Sequence, residues 1–135
     1  MQQGPFRIED EFVVLRPDQQ ADAVPVSPAL YEELDRDYNG FQGHALVSQY
    51  DFRESWSSWE MHPAGEEVVM LLAGSVTFVL EEEGVERELV LDEAGQYLIV
   101  PKGVWHTLRT SEPARLLFIT PGEGTRHHSV ADVET

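Results

Sequence analysis

Two stretches decide the fold of this chain: Trp59–Gly74, WEMHPAGEEVVMLLAG, and Gly95–His106, GQYLIVPKGVWH. In the first, Glu60 and His62 stand two apart on an extended segment, and a strand sends residues i and i+2 to the same face. The Pro63-Ala64-Gly65 turn folds the chain back. That return brings Glu67, five residues beyond His62, across from Glu60 and His62. In the second stretch a strand ends in the turn Pro101-Lys102-Gly103, and His106 lies near the start of the next. A sheet that closes on itself brings His106 to the other three. Two imidazoles and two carboxylates suit a divalent first-row metal, whether zinc, iron, nickel, manganese or copper. The chain has no cysteine, which removes thiolate zinc sites, disulfides and cysteine nucleophiles. Two carboxylates would neutralise a dication and leave it a weaker Lewis acid than one held by three neutral histidines and one carboxylate.

Working outward, short runs of Val, Leu, Ile and aromatic residues alternate with turn residues from position 44 onward. Gly65, Gly74, Gly84, Gly95 and Gly103 are 9, 10, 11 and 8 residues apart, the spacing of turns in a sandwich or barrel. The expected strands are Ala45–Tyr50, Trp56–His62, Glu67–Leu72, Val76–Glu82, Glu86–Leu91, Tyr97–Pro101, Trp105–Arg109 and Arg115–Thr120. Before them, Phe12–Leu15 reads as an edge strand and Pro17–Gln20 as a loop. Ser27-Pro28 reads as the start of a helix over Pro28–Tyr38, ended by Asn39-Gly40. No βαβ alternation is present, so the fold class is all-β: an antiparallel jelly-roll barrel with one short N-terminal helix. Residues 1–43 form an arm and helix on the barrel, residues 44–121 the barrel, and residues 122–135 a polar, mobile tail.

The 135 residues make one domain. Nine basic against 25 acidic residues give a net charge of −16, which opposes nucleic acid and anionic membranes. The acidic run Glu81–Glu83 reads as a solvated turn. No apolar run is long enough to span a membrane. Gln2–Arg16 carries both signs of charge and does not read as a signal segment. A cytoplasmic location is the expectation.

Both stretches together resemble the cupin superfamily. Its first motif is a His-x-His pair, four residues, Glu, six residues, Gly. Glu60, His62, Glu67 and Gly74 keep that spacing, with Glu60 in place of the first histidine and Glu54 where a glycine opens the motif. The second motif runs Gly, five residues, Pro-x-Gly, two residues, His, three residues, Asn. Gly95, Pro101, Gly103 and His106 match it, and Thr110 stands at the Asn position. The resemblance covers about residues 44–120. It implies a jelly roll with a metal near its centre, held by Glu60, His62, Glu67 and His106, and commonly a homodimer. Of the neighbours Glu66 and Glu67, strand parity does not choose a ligand; the motif spacing chooses Glu67.

Taken singly, each of these residues has a blander reading. Glu60 could be an exposed strand carboxylate, and His62 a hydrogen-bonded core histidine. Phe78, Tyr97, Leu108 and Phe118 could line a ligand cavity or simply fill the core. Tyr97 and Glu66 are the local candidates for a catalytic acid or base. Trp59 and Met61 face away from the ligand set, either under the helix or at a dimer interface. His44 reads as structural or exposed, and His127 and His128 as solvated tail residues. The expected function is a metal-binding small cupin that binds or acts on a small organic molecule. A metal-dependent dioxygenase, isomerase or lyase, or a non-catalytic sensor or carrier, all fit, because a fold does not choose a reaction.

Overall fold

The computed structural model describes residues 3–130. Its strands are β1 (Glu11–Leu15), β2 (Ala21–Pro25), β3 (Ala45–Phe52), β4 (Ser58–Met61), β5 (Glu67–Ala73), β6 (Val76–Glu82), β7 (Val85–Leu91), β8 (Tyr97–Val100), β9 (Trp105–Arg109), β10 (Ala114–Thr120) and β11 (Arg126–Ser129). One helix, α1 (Leu30–Asp37), and a 3-10 turn at Asn39–Phe41 lie between β2 and β3. The strands form two antiparallel sheets. One runs β2-β1-β3-β10-β5-β8 and the other β11-β4-β9-β6-β7. This is the jelly-roll layout that the alternating sequence predicts.

The two sheets bury one core between them. Val69 and Leu71 of β5, Phe78 and Leu80 of β6, Leu108 of β9, and Leu116 and Phe118 of β10 all belong to it. Phe78 and Leu108 are wholly buried there, so of the four apolar candidates for a cavity wall they fill core instead. A second cluster, Phe12, Val14, Leu30, Leu34, Phe41 and Leu46, fastens α1 to β1 and β3. The i, i+4 pair Leu30 and Leu34 supplies the buried stripe of the helix.

The structure differs from the sequence reading in four local features. The helix begins at Leu30 and has no side-chain cap. Ser27 instead closes a turn, its carbonyl accepting from the Leu30 N–H. Ala21–Pro25, with little apolar pattern, pairs with β1 as an edge strand. Trp59 is fully buried but does not belong to the helix cluster, so it does not pack under α1. Residues 126–129 are not a loose tail, because they pair with β4 over Arg126↔Met61 to Ser129↔Ser58.

Two turns explain particular sequence choices. Glu82 pairs with Val85 across a two-residue turn, in which Glu83 and Gly84 take φ of 55° and 78°. That is the left-handed pair a tight hairpin needs, so of the acidic run Glu83 sits on the solvated turn while Glu81 and Glu82 end β6 in paired, half-buried positions. Gly74 follows β5 with φ 83°, and a Cβ there would lie 2.3 Å from the Pro113 carbonyl oxygen. Gly74→Ala is expected to lower the unfolding free energy by at least about 2 kcal/mol in a urea titration, from left-handed strain plus displacement of β10. An unchanged urea midpoint would contradict that reason for the glycine.

Candidate metal centre

Four polar side chains meet between the two sheets, where the neighbouring strands β4 and β9 of one sheet face β5 of the other. Glu60 lies on β4 and pairs in register with His106 of β9. His62 follows the end of β4, and Glu67 opens β5. His62, Glu67 and His106 are buried, and Glu60 is partly so. His62 Nε2 lies 3.1 Å from Glu60 Oε1 and 3.3 Å from Glu67 Oε2. His106 Nε2 lies 3.2 Å from Glu67 Oε1. One donor atom each from Glu60, His62 and His106 falls within a 4.8 Å span, and Glu67 touches both imidazoles. The structure therefore brings together all four residues that the motif spacing selects.

The outer atoms of these groups are tied to the protein. Thr125 Oγ1 donates to the Gly122 carbonyl at 2.9 Å and stands 2.8 Å from His62 Nδ1. A hydroxyl has one proton, so the Thr125 oxygen accepts from His62 Nδ1–H. His106 Nδ1 faces the Val104 carbonyl at 3.2 Å, which only a ring N–H can satisfy. Thr120 Oγ1 donates to Glu67 Oε2 at 2.6 Å. In the neutral rings both Nε2 atoms are thus left as bare lone pairs. His62 Nε2, His106 Nε2 and Glu67 Oε1 are buried and lack any partner in hydrogen-bond geometry. Three inward-facing acceptors without a donor repel one another unless a cation sits among them. The donor set, nitrogen and oxygen with second partners on the outer nitrogens, fits a divalent transition metal.

The electrostatics agree. Burial pushes His62 down, but the carboxylates of Glu60 and Glu67 outweigh it and hold the imidazole up at about 9. Burial pushes Glu67 up, but His106 and His62 outweigh it and bring the carboxyl down to about 2. Without a metal, a proton on His62 takes the place of the cation.

A cavity of about 1130 Å³ opens on Glu60, His62 and Glu67. Tyr31 and Leu34 of α1, Tyr50 and Phe52 of β3, Trp56 and Phe118 form its apolar and aromatic wall. The Tyr31 and Tyr50 hydroxyls hydrogen-bond to each other. The helix and the 3-10 turn after it thus shape one side of the cavity, which is large enough for a small organic molecule.

Two sequence candidates lie elsewhere. Tyr97 is 59% exposed and alternates with the buried Leu98 and Val100, so it points out of the fold. Glu66 is exposed while Glu67 is buried. Neither lines the cavity. Conversely, Thr125 and His127 line it, and His127 Nε2 stands 4.0 Å from Glu60 Oε2. The polar composition of residues 122–129 hid them, since a strand with all four residues exposed carries no alternation.

Compared with known families, residues 49–120 match the cupin domain, over more than half of the chain. The chain is a cupin. Among solved structures, this cupin is similar to a cupin-2 domain protein from Shewanella frigidimarina, at 21% identity and TM-score 0.49 over 57% of this chain and 70% of that one. It is similar to recombinant oxalate oxidase in complex with glycolate, at 16% and 0.52 over 61% and 45%. It is also similar to a point mutant of Bacillus subtilis oxalate decarboxylase, at 18% and 0.50 over 64% and 23%. At these identities the likeness is one of fold. The matched part spans under half of the oxalate oxidase chain and about a quarter of the decarboxylase chain. No curated protein matches this cupin in sequence. Among the described residues, no helix is long and apolar enough to cross a membrane.

Proposed function

We propose that this cupin is a metal-dependent protein that holds a small organic molecule in the cavity, against an ion bound by Glu60, His62, Glu67 and His106. The observation that carries it is the convergence of His62 Nε2, His106 Nε2 and Glu67 Oε1 as buried atoms without partners. When bound, the ion would supply Lewis-acid polarisation of a ligand oxygen, or redox chemistry if it is iron, manganese or copper. The protein's own part is to fix that geometry. Thr125 and Val104 hold the two rings, Thr120 holds Glu67, and the aromatic wall excludes water from one side of the ligand.

One observation favours a non-catalytic binder as the second reading. Tyr97 and Glu66 both point away, so the cavity wall loses the proton carriers expected from the sequence. The oxalate-processing neighbours support a small ligand in such a cavity but do not choose one. Pairing of two copies is part of the proposal, and the exposed Tyr97 and Ile99 on the outer face of β8 support it.

Elemental analysis of purified protein tests the reading. The expected result is close to one divalent transition ion per chain, with a melting temperature that falls on chelation. Binding at about a hundred times Kd is worth about 2.7 kcal/mol. A folded protein that takes up none of zinc, iron, nickel, manganese or copper on dialysis would overturn it.

A further inference from the structure

We propose that Thr125 is a positioning residue of the metal centre, so that the C-terminal segment 122–129 is a working part of the site. The inference rests on the metal reading above. Nothing in the two motifs reaches this segment, and the cupin match ends at residue 120. His62 lies one residue past the end of β4, and its carbonyl accepts from the Gly103 N–H, a backbone contact that does not orient its ring. The register of β11 on β4 begins at Arg126↔Met61, and one further step places Thr125 opposite His62. There its hydroxyl oxygen, with its own proton donated to the Gly122 carbonyl, accepts a hydrogen bond from Nδ1–H, which in the neutral ring leaves Nε2 bare toward Glu60 and Glu67.

The rest of β11 points the same way. All four of its residues are exposed, so it adds no core. Thr125, the residue just before it, and its own His127 line the cavity, the latter beside Glu60 Oε2. β11 also covers the edge of β4 and lays the His128 ring on Trp105, and the same pairing holds Thr125 and His127 at the site. Val at position 125 keeps the bulk of Thr but cannot accept a hydrogen bond. The His62 ring would then be free to rotate or to carry its proton on Nε2, where it blocks the ion.

The test compares zinc affinity of the full-length wild type, Thr125→Val, Thr125→Ala and Thr125→Ser, by competition with a chromogenic chelator. A second readout is the Nδ1–H resonance of His62 in proton–nitrogen spectra of the metal-free proteins. The expected result is zinc binding about 10- to 100-fold weaker for Val and Ala, with Ser within about threefold of wild type, as for removal of a ligand's outer hydrogen bond. The His62 Nδ1–H signal is expected in the wild type and Ser proteins and lost to solvent exchange in the other two. Equal affinity of wild type and a folded hydroxyl-free variant would overturn the proposal. So would a Ser variant as weak as Val. If the wild type itself fails to bind zinc, the metal reading falls separately. The spectra then decide the positioning role, which an unchanged Nδ1–H signal in Thr125→Val overturns.

Discussion

His106→Ala protein is expected to leave dialysis with no stoichiometric metal, whereas wild type keeps about one ion per chain. His106 is fully buried. Its ring is aimed by the Val104 carbonyl, and its Nε2 has no hydrogen-bond partner of its own. Loss of a ligand's outer hydrogen bond alone costs about 10- to 100-fold in metal affinity, and removal of the ligand itself should cost more. The substitution also leaves Glu67 Oε1 facing a void. Even without metal the variant should therefore lose about 2–4 kcal/mol of stability. Glu66→Ala and Tyr97→Phe are the controls. Both side chains point away from the cavity, so both variants should keep the wild-type metal ratio by mass spectrometry. Retained stoichiometric metal in His106→Ala would sink the assignment of this residue.

Metal-free protein is expected to be most stable between about pH 4.5 and pH 6.5, and to weaken on either side. His62 is held up from 6.5 to about 9. Its contribution is therefore fully present below pH 6.5 and is lost as pH rises through 9. Glu67 is brought down from 4.5 to about 2. Its contribution is present above pH 4.5 and is lost as pH falls toward 2. Both shifts come from the same imidazole–carboxylate contacts, so they count once, on the order of 3 kcal/mol. Zinc affinity should run the other way in the alkaline range. The ion displaces the His62 proton, so binding should tighten about tenfold per pH unit from neutrality toward 9. Urea midpoints of chelator-treated protein against pH check the first claim, and zinc titrations at three pH values check the second. Urea midpoints that keep rising above pH 7 without metal would contradict the proton on His62.

The inner face of this fold was legible in sequence because two signals combine there. Strand alternation puts Glu60 and His62 on one face, motif spacing adds Glu67 and His106, and Gly74 and Pro101 mark the turns between them. Parity alone could not separate Glu66 from Glu67, since a one-residue shift swaps the faces of a strand. Fold closure separates them, because Glu67 must reach both imidazoles. Tyr97 stands next to the buried Leu98 but on the other face, so its nearness in sequence to the second motif does not bring it to the site. The strands Ala21–Pro25 and Arg126–Ser129 left little trace because edge strands with exposed faces have no apolar pattern to display. Their place is decided by the strands they pair with, β1 and β4. The contribution of Thr125 to the site was invisible for the same reason.

The central claim is that the four side chains enclose one metal ion. Anomalous diffraction from crystals of wild-type protein grown with zinc, recorded on both sides of the zinc absorption edge, tests it most directly. The account predicts one strong anomalous peak per chain, within bonding distance of His62 Nε2 and His106 Nε2 and beside the carboxylates of Glu60 and Glu67. Well-ordered wild-type crystals with no peak there, or with zinc held only on the acidic surface, would contradict it.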